Sequence, residues 1–211
     1  MTVDGFAMSG TGFLDIPEPN AEAQHVFDED VAEVGYVMNL SRLWAYQPAT
    51  LTGLFELLGQ IASAQELDVR QRGILVAACA SAYGDSYCAL MWGSRLAEAT
   101  DARTASAVLR DDGDSGLTVS ERAMASWARK VARDPNHTSA ADVQALRGAG
   151  FGDAQIFAIT AFVALRIAFS TVNDALGVRP DGQLRSTAPE AVLDAVTWGR
   201  PIDAPAPSPS I

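Results

Sequence analysis

Apolar residues recur at close to 3.6 positions through almost the whole stretch between residues 23 and 199, and no segment shows the bounded period-two alternation of a strand. A chain patterned this way hides its stripes by packing helix on helix. Leu40, Leu43 and Trp44 form a first stripe. It ends at Gln47-Pro48, because proline disfavours helical geometry in the residue before it. Leu51, Leu54, Phe55, Leu58 and Ile61 form the next, with Pro48 suited to its first turn. Asp68 is placed to cap a third helix carrying Ile74, Leu75, Ala78 and Cys79 toward Tyr83-Gly84, and a fourth starts near Asp85 and runs to about Glu98. A short helix is predicted over Ala102–Leu109, followed by a loop at 111–116.

The second half repeats the style. Thr118 and Glu121 have capping-box spacing, and Asp134-Pro135 stops the helix they open. Ser139 with Asp142 opens another, closed by Gly148 or Gly150. Asp153 is expected to cap the most apolar helix, which ends at Leu176-Gly177. The fold class is therefore all-α, with one domain over residues 23–199. Residues 1–22 read as a flexible N-terminal arm. Residues 200–211 alternate proline with small residues, which no helix tolerates, and read as a disordered Pro-rich tail.

Nearly half of the 211 residues are apolar, enough for a proper core, and the formal net charge is −11. Such an acidic chain repels polyphosphate, which argues against nucleic acid and anionic membranes as partners. Residues 156–172 come nearest to a membrane span, but Arg166, Ser170 and Thr171 interrupt them. The N-terminus lacks the basic-then-apolar order of a signal peptide, so a cytoplasmic location is expected. His25 and His137 have no partner at ligand spacing, Cys79 and Cys88 are not spaced as Cys-x-x-Cys, and no glycine-rich phosphate loop follows a strand. Neither a metal nor a cofactor is expected.

Gly35-Tyr-Val-Met-Asn39, Val69-Arg-Gln-Arg-Gly73 and Gly84-Asp-Ser-Tyr-Cys-Ala-Leu-Met-Trp-Gly93 together resemble segments of the AhpD-like (carboxymuconolactone decarboxylase) family, in its peroxidase-related branch. Gly35-Tyr-Val-Met-Asn39 with Gln47-Pro48 is similar to the start of that family's first helices. Val69-Arg-Gln-Arg-Gly73 is similar to its helix before the active-site turn, and Gly84-Asp-Ser-Tyr-Cys-Ala-Leu-Met-Trp-Gly93 to the turn itself, which typically reads Gly-Cys-x-Tyr-Cys-x-x-x-His-Gly. Leu146-Arg-x-Ala-Gly-Phe151 and Ala175-Leu-Gly-Val178 extend the likeness, which covers roughly residues 30–180. The resemblance implies an AhpD-like helical bundle that assembles as a homo-oligomer (dimer, trimer or hexamer). It also implies dithiol peroxidase chemistry, run by a glutamate base, two cysteines and a histidine.

Carried over position by position, those roles are mostly vacant. The peroxide-attacking cysteine falls on Cys88, but the resolving cysteine falls on Asp85, the histidine on Trp92 and the base on Gly73. Asp85 cannot form a disulfide, and the indole of Trp92 has no acceptor through which to relay a proton. Dithiol peroxidase activity is therefore predicted to be absent. Trp92 is expected to fill the volume left at Gly73, making an apolar pocket. Catalytic candidates are Cys88, Asp85 and Tyr87; substrate-binding candidates are Trp92, Tyr83, Gly73 and Arg166. Each has a plainer role open to it: a core thiol for Cys88, an N-cap for Asp85, packing for both tyrosines, and a salt bridge to a carboxylate for Arg166, weighed against an anionic ligand. Three readings stay open: a diverged metal-free enzyme acting on a small molecule, a one-cysteine peroxidase using Cys88, and a non-catalytic binding or assembly protein.

Overall fold

The computed structural model describes residues 12–113 and 116–204. Among them every regular element is a helix: α1 (Ala21–Val34), α2 (Asn39–Trp44), α3 (Pro48–Ala64), α4 (Val69–Tyr83), α5 (Ser86–Ala99), α6 (Ala102–Arg110), α7 (Val119–Arg133), α8 (Ala140–Gly148), α9 (Asp153–Ala175), α10 (Leu184–Thr187) and α11 (Glu190–Ala195), with one 3₁₀ turn at Pro135–His137.

The caps explain where these helices begin. Asp68 accepts the Gln71 backbone N–H at 2.7 Å while the Gln71 side chain reaches back to Asp68 N–H, satisfying two donors that the first turn of α4 leaves unpaired. Thr118 with Glu121 and Ser139 with Asp142 do the same for α7 and α8. Asp153 departs from its expected role. Gly152 is the N-cap of α9, and Asp153, already helical, pairs with Arg147 at 2.7 Å.

Helix α4 is the centre of the bundle. Every residue from Gly73 to Ala80 is buried, as befits a helix apolar on all sides, and α4 packs against α5, α6, α7 and α9. By length and composition α9 could cross a bilayer, yet here it lies in the bundle against α3, α4 and α7.

The expected volume exchange at Gly73 does not occur. A Cβ at Gly73 would meet Leu96 Cβ at 3.1 Å and Leu96 Cδ1 at 3.3 Å, so Leu96, one turn beyond Trp92, occupies that space. Glycine is used here for close approach of α4 to α5.

Both ends of the chain are more engaged than an arm and a tail would be. The Phe13 N–H donates to Leu176 O at 2.8 Å, and Asn20 caps α1. Arg185 donates to the carbonyl of Ile202 at 2.7 Å. These contacts involve the described part of the expected arm, residues 12–22, and of the expected tail, residues 200–204. The remainder of both lies outside the described residues.

Candidate active site

The turn between α4 and α5 is built by Gly84 and Asp85. Gly84 closes α4 at φ +94°, in the left-handed region that favours glycine, and Asp85 opens α5 by accepting the Cys88 backbone N–H at 2.9 Å. This cap is fully buried. Its second carboxylate oxygen accepts the Ser170 hydroxyl at 2.5 Å, and Ser170 Oγ lies 3.9 Å from Cys88 Sγ. Ser170 stands one helical turn beyond Arg166 on α9, so both reach the same thiol. The Arg166 Nη2–H donates to Cys88 Sγ at 3.1 Å. From behind, a late segment braces the turn: the Ser86 hydroxyl donates to Arg200 O at 2.7 Å, and a Cβ at Gly199 would collide with Gly84 O at 2.7 Å.

Cys88 and Arg166 line a cavity of about 600 Å³ between α1, α2, α3, α5 and α9. Phe55, Met91, Trp92 and Phe169 give it apolar walls. Phe55 meets Phe169 edge-on, with ring centroids 5.3 Å apart. Glu29, Glu33 and Glu56 line it too, together with Arg72 and Arg95, and Arg95 is bonded to Glu33.

Arg166 has no carboxylate partner within ion-pair distance among the described residues, so the expected salt bridge is not there. Its guanidinium instead sits 5.1 Å from the Phe169 ring centre, 5.6 Å from Trp92 and 6.0 Å from Phe55. Of its five N–H donors, the one toward Cys88 is the sole donor with an acceptor among the described residues, and Nε is buried without one.

The resting thiol is protonated. Burial raises the Cys88 pKa well above its ordinary value and Asp85 adds to this, while Arg166 pulls the other way. Desolvation by burial is the largest of these influences. Cys79 is also buried and free, and burial pushes its thiol up to about 12.

The other sequence candidates are placed as follows. Trp92 and Tyr87 line the cavity, but the Tyr87 hydroxyl donates to Asp181, a carboxylate that also accepts the Asn39 backbone N–H at 2.7 Å. Burial raises Asp181 to about 6. Tyr83 lies outside the cavity, its hydroxyl 2.7 Å from Thr171 Oγ1, and Gly73 does not line it either. Ser170, Asp181, Phe55 and Phe169 belong to the site and were missed as functional candidates. Only Ser170 carried a usable signal, a polar residue four positions from Arg166 in an apolar helix. His25 pairs with Glu29 and His137 with Asp134, both exposed and neither beside Cys88.

No family model matches the sequence, and no curated protein matches it. Solved structures do share the fold. A peroxidase-related protein from Ralstonia eutropha, described as an alkylhydroperoxidase AhpD core, superposes with a TM-score of 0.71 at 22% identity, over 82% of this chain and 94% of that one. A peroxidase-related protein from a Silicibacter species gives 0.74 at 20% identity, over 84% and 95%. The debrominase Bmp8, as a cysteine-to-alanine variant in complex with 2,3,4-tribromopyrrole, gives 0.69 at 16% identity, over 88% and 99%. The chain has the AhpD-like fold.

Proposed function

We propose that this chain is a one-cysteine enzyme that reduces a small, largely apolar electrophile in the α5–α9 cavity, with electrons from an external thiol. The observation that carries the reading is the floor of the cavity, where Cys88 Sγ accepts from Arg166 and stands beside Ser170, itself bonded to Asp85. A core cysteine has no need of a buried guanidinium.

The polar groups supply a proton route in place of the absent glutamate and histidine. As Cys88 becomes a thiolate, its proton passes to Ser170 Oγ while Ser170 passes its own to Asp85. Arg166 stabilises the thiolate. With a hydroperoxide, the sulfur attacks the terminal oxygen, the O–O bond breaks, and the alkoxide takes back the proton held on Asp85. The sulfenic acid on Cys88 condenses with one external thiol, releasing water, and a second external thiol attacks the external sulfur of the mixed disulfide, freeing the Cys88 thiol and leaving the two external thiols joined as a disulfide. Asp85 offers no sulfur for an internal disulfide at the resolving position, so an external thiol takes that role. The aromatic walls suit a planar substrate, and a debrominase with a bromopyrrole is among the proteins of this fold. A halogenated heteroaromatic is the second electrophile to try.

The test is turnover of cumene hydroperoxide, and separately of a bromopyrrole, with excess dithiothreitol. Wild type is expected to consume one of them and Cys88→Ser neither. Equal rates in the two proteins would refute the role of Cys88.

A further inference from the structure

Arg166 carries more donor capacity and more charge than its protein neighbours use. A guanidinium 3% exposed has left water, and that loss is normally met by a carboxylate with matching hydrogen bonds. Here the hydrogen-bonded neighbour is a thiol held in its neutral form. Three aromatic rings offset part of the loss through their negative faces. Asp85 is spent on the Cys88 N–H and the Ser170 hydroxyl, and no ion pair joins it to Arg166. The cation therefore faces a cavity whose apolar walls strengthen any charge pairing made inside it.

We infer that the substrate is an aromatic anion, a planar ring bearing one carboxylate or comparably acidic group that pairs with Arg166. The inference rests on the reading of this cavity as the substrate pocket. The ring lies among Phe55, Trp92 and Phe169, and the anionic group takes the unused donors of the guanidinium. That arrangement presents the electrophilic part of the ligand to Cys88, which shares the same guanidinium. Glu29, Glu33 and Glu56 around the cavity disfavour multiply charged anions, so a single negative charge on a mostly apolar body is the matching class.

Calorimetric titration of the full chain at pH 7 with benzoate and with benzamide tests this, since the two share a ring and a shape and differ in charge. Benzoate is expected to bind about ten-fold tighter or more, the size of one charge-assisted pairing. Arg166→Gln is expected to erase the difference. Equal affinities, tighter benzamide, no benzoate binding, or a preference that survives Arg166→Gln would each overturn the inference. The comparison on the unaltered protein decides even if the variant fails to fold. Failure of the Cys88 mechanism is a separate result, read from turnover in Cys88→Ser.

Discussion

Helices α4 and α5 start in the same way and in opposite surroundings. At each start an aspartate accepts the backbone N–H three residues on, Asp68 from Gln71 and Asp85 from Cys88. Asp68 stands in water, and the arginine beside it, Arg70, is paired with Glu121 at 2.5 Å. Asp85 is sealed, its remaining oxygen bonded to Ser170, and the nearby arginine meets a thiol and three rings. The aspartate cap is common to both, although only α4 adds a reciprocal bond from Gln71. What differs is the cover that distant parts of the chain place over it, and this makes one start a routine cap and the other a site. Charges at the α4 start cancel within reach of solvent; at the α5 start they are held apart inside the protein.

That contrast can be broken by measurement. Replacing Asp85 with Ala is expected to cost about 3 kcal/mol, a cap of about 1 plus the stranding of two buried donors, while Asp68→Ala costs about 1. Equal losses in urea unfolding would mean that burial adds nothing. A sharper probe keeps the cap and removes its charge, with an amide NH₂ then facing Ser170 in place of the second oxygen. Because Asp85 raises the Cys88 pKa, Asp85→Asn should lower it and speed alkylation at pH 8 by roughly three- to ten-fold, measured with Cys79 replaced by Ala. Unchanged alkylation would show that the carboxylate does not govern the thiol. The smallest effect belongs to the exposed start, where Arg70→Met should shift stability by no more than about 1 kcal/mol, as for other pairs near the surface. A loss comparable to that of Asp85→Ala would erase the distinction between the two regions.

Much of the fold was legible because caps and apolar stripes are local. Asp68, Asp85, Thr118 and Ser139 marked helix starts within a residue, and Pro48 fell in the first turn of α3. Helix α1 was not singled out, since it buries few residues, among them Ala23, Val26 and Phe27, and α10 and α11 are too short to show a period. The site was half legible. Alignment placed Cys88, Asp85 and Trp92, but a buried arginine announces only its need for a partner. That partner lies 78 residues away, and sequence spacing says nothing of it. The same limit explains Gly73, whose vacated volume went to Leu96 and not to Trp92.

The bracing of the α4–α5 turn by Gly199 and Arg200 has a kinetic meaning. Ser86 and Arg200 are 114 positions apart, so the turn cannot reach its final packing until that long loop has closed. The thiol's surroundings are thus completed by a segment that never touches it. A side chain forced into position 199 would reach Cys88 through the backbone of Gly84, as a lever works on a point some way from where it is pressed.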